Sequence, residues 1–261
     1  MATVLMAAES IISVPCVVFA LRRESLYFRR LHPVQQRLVG VPCRAQLRGP
    51  RKRGGPHHSG ATVLMLETGV GATAMETALH WCLNGPRWGD AVYRPRLLVS
   101  AGFAGALQPE QRVGELVLAT EVADAQGHCW PALRPTAWAE GAFAAGRLLT
   151  MRELVSDPQE KQRLGRQYKA LAVDMESAVA ARLCHEHNVP FACLRVISDD
   201  WQTALSPCLV ALLRRERISW LRLAVQVLRR PKLLSDFGRL AGQTRQAARQ
   251  LSAPLAALLD G

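Results

Sequence analysis

Short, almost unbroken apolar runs punctuate this chain, and most lead into a stretch with helical spacing. Residues 11–19, 61–67, 97–100, 113–119, 146–150 and 191–197 read as strands. Runs without polar alternation suit strands covered on both faces. A further strand is expected at 39–47, and loops at 88–96 and 101–107. Helical spacing marks residues 24–31, 72–83 and 161–168, and the stretch opened by Asp174-Met175-Glu176-Ser177. In that stretch Val179, Leu183 and Cys184 share one side. Asn188-Val189-Pro190 stops it, because proline has no N–H to donate and turns its predecessor away from helix. Strands alternating with helices predict an α/β chain. After Trp201 the pattern changes to amphipathic helices at 209–217, 220–230, 233–240 and 244–259, broken at Pro231.

Two places break the apolar pattern in ways that suggest chemistry. Ser198-Asp199-Asp200 ends the run at 191–197, where open α/β sheets place their sites. Arg195 lies inside that same run. A buried guanidinium needs an anion. Either it forms a structural pair with an acid such as Glu176, or it serves a site. Thr68-Gly69-Val70-Gly71 turns from strand to helix. Glycines there let the backbone approach a ligand and leave amides for an anion.

Composition narrows the class. The chain has 261 residues, enough for one large core, and 49% hydrophobic content argues against disorder. A net charge of +12 points to an acidic partner: a phosphate-bearing substrate, a membrane surface or nucleic acid. The seven cysteines are scattered, with no Cys-x-x-Cys and no zinc spacing. Reduced thiols in a cytoplasmic protein and no metal are therefore expected. The segment at 11–20 is too short to span a bilayer and follows no basic leader, so it is expected to be a strand. The basic loop at 48–60 lacks the aromatic residues a single-strand binder uses, and no nucleic-acid partner is expected.

The run Ala-Val-Asp-Met-Glu-Ser (172–177), followed about twenty residues later by Arg-Val-Ile-Ser-Asp (195–199), resembles the nucleoside phosphorylase and nucleosidase superfamily. The resemblance extends over roughly 11–200. It implies a single-domain three-layer α/β/α fold around a central mixed, twisted sheet. Residues 201–261 would be a basic helical C-terminal extension packed on the same domain. It also implies cleavage of the N-glycosidic bond of a purine nucleoside, most plausibly a 5′-modified adenosine releasing adenine.

On this resemblance, catalysis falls to Asp199, Glu24 and Arg195. Asp199, kept protonated by Asp200 beside it, would donate to the purine N7. Glu24, in the turn after the first strand, would activate water; by itself it is equally a helix-start glutamate. Arg195 would hold water or phosphate with Glu24. Glu176 would bind the ribose hydroxyls and Met175 would pack on the sugar. Gly69, Gly71 and Gly102 would line the substrate. Phe103 stands where nucleosidases of this family have a serine.

Two departures make phosphate an alternative co-substrate. Arg22 and Arg23 flank Glu24 where nucleosidases are acidic, and both favour an anion unless they simply point to solvent. Phosphorolysis and hydrolysis therefore stay open; no cofactor is implied. The tail resembles that of hopanoid-associated phosphorylases. From Arg214 on it carries ten Arg/Lys against three Asp/Glu. A homo-oligomer is implied, along with peripheral membrane contact through the basic helices. The alternatives are a methylthioadenosine/S-adenosylhomocysteine nucleosidase proper and a nucleoside-binding relative without activity.

Overall fold

The structure is a computed structural model that describes residues 10–49, 62–138, 143–204 and 246–257. Strand β6 (Ala91–Ala106) is its spine, at 16 residues. It is flanked in parallel by β1 (Ser10–Phe19) and β11 (Phe191–Asp199). The inner halves of these strands are Val, Ile, Leu and Cys with both faces buried, which explains the lack of alternation in their sequence. Beyond β1 lies β4 (Val63–Glu67). The antiparallel hairpin of β2 (Val34–Leu38) and β3 (Arg44–Arg48) then closes that side.

The other side curls. Strand β7 (Leu116–Asp124) runs antiparallel to β11 and parallel to β9 (Ala144–Thr150). Strand β10 (Ala172–Asp174) pairs with β9 and returns antiparallel to the end of β6, at Gly105 and Ala106. That last pairing closes a ring of five strands, β6-β11-β7-β9-β10. It brings the ends of β6, β10 and β11 to one rim. Two short strands, β5 (Arg87–Trp88) and β8 (Cys129–Pro131), pair with β6 and β7.

Helices cover both faces, so the mixed α/β sheet is the middle of three layers. α2 (Ala72–Leu83) and α4 (Ser177–Glu186) bury Met75, Leu79, Ala180 and Leu183 against one face. A helical segment at 246–257 buries Ala247, Leu251 and Leu255 on the other, with α1 (Phe28–Leu31) beside it. The Nε1–H of Trp138 donates to the carbonyl of Pro254 at 2.9 Å and ties that segment to the core. α3 (Pro158–Tyr168) starts at Asp157, whose side chain accepts the Glu160 amide, with Pro158 in the first turn.

Several expectations are corrected. The expected strand at 39–47 is a hairpin: β2 is mostly exposed and polar, and 39–43 is its turn. The expected loops at 88–96 and 101–107 are mostly β6, which runs on to Ala106. The expected helix at 24–31 is a series of turns ending in α1. The helices expected at 209–217, 220–230 and 233–240 and most of the basic loop at 48–60 lie outside the described residues. The described cysteines are all free. Among the described residues, no helix is long and apolar enough to cross a membrane.

Candidate active site

The rim of the closed ring surrounds a cavity of about 160 Å³. Its walls are the turn after β1, the end of β6, the β10–α4 junction, the end of β11 and Leu154-Val155. Glu24, Glu176 and Asp199 all reach it and are all buried.

Glu24 is held by neutral donors. Its Oε2 accepts the Leu21 amide at 2.7 Å and its Oε1 the Phe103 amide at 2.9 Å. Burial pushes its pKa up, while those two amides and the charge of Arg195 pull against the shift. Gly102 explains why this carboxylate fits. A Cβ there would lie 2.6 Å from Oε1. Phe103 therefore serves Glu24 through its backbone and the cavity wall through its ring.

Glu176 sits at the head of α4, and its Oε1 accepts the Gly71 amide at 2.7 Å. Burial, then the charge of Asp174, pushes its pKa up to about 8. Gly71 has φ +98° and Gly69 +94°, so the turn needs both glycines. The expectation that this turn leaves amides free for an anion is corrected. Gly71 gives its N–H to Glu176, and Gly69 gives its own to the Ala20 carbonyl. The two glycines shape the site and are not part of the cavity wall, whereas Met175 is.

Asp199 departs furthest from expectation. Its Oδ2 accepts a hydrogen bond at 2.5 Å from the ammonium of Lys161, which is fully buried on α3. Asp200 is not its side-chain partner. The Asp200 carboxylate instead accepts from Gln202 N and Thr203 Oγ1, in the turn that leaves β11. Ser198 Oγ lies 2.7 Å from Asp199 Oδ1. Lys161 was not singled out from sequence. Its signal was its place on the buried side of α3, at helical spacing from Leu164, Gly165 and Tyr168.

Arg195 is also corrected. Its Nε and Nη2 lie 2.9 and 2.8 Å from Asp174 Oδ2. Nη2 also donates to Ser100 Oγ and Ser177 Oγ, and Nη1 to the Leu194 carbonyl. Its anion is Asp174, not Glu176, and its side chain is not in the cavity wall. Asp174 also accepts from Ser177 Oγ and Thr150 Oγ1. The pair thus fixes the β10–α4 junction from which Glu176 projects. Of the expected phosphate ligands, Arg22 turns to Glu67 at 3.8 Å, a carboxylate also approached by Arg29 and Arg44. Only Arg23 lies at the cavity. Among the described residues, no three His, Cys, Asp or Glu side chains are grouped to hold a metal ion.

A sequence model of the phosphorylase superfamily matches residues 28–140 and 132–206. The chain belongs to the phosphorylase superfamily. Among curated members of that superfamily, it is 27% identical to a 5′-methylthioadenosine/S-adenosylhomocysteine nucleosidase of Bacillus cereus (strain G9842). The match runs over 169 residues, 54% of this chain and 69% of the relative. A nucleosidase of the same name from Bacillus thuringiensis subsp. konkukian matches equally well. The fold is that of the Streptococcus pneumoniae nucleosidase of this name, solved with a transition-state inhibitor. The TM-score is 0.66 at 17% identity, over 95% of this chain and 99% of that one. Futalosine hydrolase of Helicobacter pylori superposes with a TM-score of 0.67 at 13% identity, over 97% and 98% of the two chains.

Proposed function

We propose that this chain hydrolyses the N-glycosidic bond of a purine nucleoside, a 5′-modified adenosine, and releases adenine. The observation that carries the reading is the convergence of Glu24, Glu176 and Asp199 on one cavity. The reaction needs a base for water, a partner for the ribose hydroxyls and an acid for the leaving purine. Glu24 takes the proton of the attacking water, and its raised proton affinity suits it to that task. Glu176 engages the ribose hydroxyls. As the C1′–N9 pair withdraws onto the purine, Asp199 places a proton on N7.

Charge favours water over phosphate. Among the described residues, five acidic side chains line the cavity (Glu24, Glu153, Asp174, Glu176 and Asp199) against one cation, Arg23. Arg195 and Lys161 are already paired with Asp174 and Asp199, so Arg23 is the described cation left to attract a phosphate dianion. A groove of about 940 Å³ adjoins the cavity at Met175 and Glu153 and has room for a 5′ substituent. The same reading takes the enzyme to be a cytoplasmic homo-oligomer, as in the sequence resemblance. The basic stretch from Arg214 is proposed to contact an anionic membrane, which fits a lipid-linked substituent of the hopanoid kind.

The test is adenine release from 5′-methylthioadenosine, adenosine and a 5′-alkyl adenosine, each with and without phosphate. Phosphate-independent release with free ribose product is expected. Release that requires phosphate and yields ribose 1-phosphate would make the enzyme a phosphorylase and give Arg23 its anion. No release from any of the three would point to the lipid-linked substrate or to a nucleoside-binding protein without activity.

A further inference from the structure

Among the described residues, Lys161 is the most deeply buried charge near the cavity, with no exposed surface. Its Nζ donates to Asp199 Oδ2 at 2.5 Å, to the Asp200 carbonyl at 2.8 Å and to the Thr203 carbonyl at 3.3 Å. Three acceptors around one nitrogen match the three N–H groups of an ammonium. Burying such a charge is costly, and a fold keeps one there only with full pairing or a task. Gly105 supplies no Cβ, which leaves room for this carboxylate; one would lie 3.0 Å from Oδ2. Lys161 holds Oδ2, and Gly105 gives it space. They leave Oδ1, beside the Ser198 hydroxyl, as the oxygen with capacity left for the cavity.

We propose that Lys161 is a positioning residue of this site: its sealed ammonium holds Asp199 Oδ2 so that Oδ1 is the oxygen presented to the leaving base. The inference rests on the nucleosidase reading above. The proton moves from Asp199 to the purine N7 as the C1′–N9 electron pair passes to the base. An Asp199 aimed along that path matters most in the transition state, where positioning raises rate rather than affinity. The other charged groups around Asp199 are Glu24 and Arg23 from the turn after β1, and Glu176, Asp174 and Glu153 at the cavity, with Arg195 behind Asp174. Lys161 is the cation bonded to Asp199 itself.

The test compares Lys161→Met and Lys161→Gln with wild type on two substrates. One is 5′-methylthioadenosine, whose base needs a proton. The other is 4-nitrophenyl riboside, whose leaving group departs as a stable anion. Both variants are expected to lose about 100-fold in kcat for adenine release, with KM nearly constant. Nitrophenyl riboside cleavage should fall by no more than about threefold, since no acid is needed. The Gln variant keeps an N–H for Oδ2 and so covers the case in which Met leaves the chain unable to fold. Equal losses on both substrates, or a loss carried by KM rather than kcat, would overturn the proposal and leave Lys161 a structural strut. A wild type that cleaves neither riboside would instead overturn the nucleosidase reading beneath it.

Discussion

Glu24 and Asp199 line one cavity with almost equal exposure, 5% and 7%, yet they are held by opposite means. Glu24 rests on two backbone amides, and Asp199 on a buried ammonium. Amides solvate a carboxylate without cancelling its charge, so burial dominates and Glu24 keeps a raised proton affinity. An ammonium pairs with the charge and fixes one oxygen, which leaves the other for the cavity. The first arrangement leaves a basic carboxylate, and the second aims one at the leaving base. The sheet provides both by curling until β10 meets β6.

Removing the Asp199 charge breaks this comparison most strongly. Asp199→Asn is expected to lower adenine release by about 10³-fold. It also leaves Lys161 buried against a neutral amide, which costs on the order of 3–5 kcal/mol. The double variant Asp199→Asn/Lys161→Met should recover most of that stability and none of the activity. Thermal melts read beside product release test this, and an Asp199→Asn protein as stable as wild type would contradict the pairing.

Glu24→Gln is the milder mirror image. Activity should fall by about 10²-fold, the usual contribution of a positioned base. Stability should fall modestly, because glutamine keeps one oxygen and so leaves either the Leu21 or the Phe103 amide without its acceptor. With its folded pKa raised, Glu24 contributes stability at low pH that is lost as pH rises through that pKa. The variant's deficit in melts should therefore be smaller at neutral pH than near pH 4. In wild type, the same shift sets the ascending limb of kcat/KM above the ordinary glutamate range of about 4.3. Glu176, pushed up to about 8, titrates with it, so the limb belongs to both groups. An ascending limb at or below the ordinary range would remove Glu24 as the base.

The two sides of the site were not equally legible in the sequence. β11 and α4 were plain because a doubly covered strand is continuously apolar, and Pro190 marks the boundary between them. The residues at 101–106 looked like a loop because Gly102 and Gly105 weaken any strand pattern. The structure gives each glycine a reason: a Cβ at 102 would strike Glu24 and one at 105 would crowd Asp199. β2 was missed because four of its five residues are exposed, which leaves no apolar face to detect. Arg195 was recognised as anomalous, but its partner was not. Asp174 reaches it only once β10 has joined the curled sheet, a contact no local pattern encodes. Lys161 was hidden by habit, since a lysine in an amphipathic helix ordinarily reaches solvent.

The smallest expected effect sharpens the Glu24 side alone. Gly102 has an ordinary, negative φ, so alanine meets no backbone penalty there. Its Cβ would still lie 2.6 Å from Glu24 Oε1, closer than atoms can approach. The opposing atom is the tip of a side chain, so Glu24 can swing away with little loss of stability. It would then give up the Phe103 amide and its aim into the cavity. Gly102→Ala is expected to cost about tenfold in kcat, because small displacements of a catalytic group are expensive in rate. Full activity in that variant would show that the Phe103 amide does not position the base.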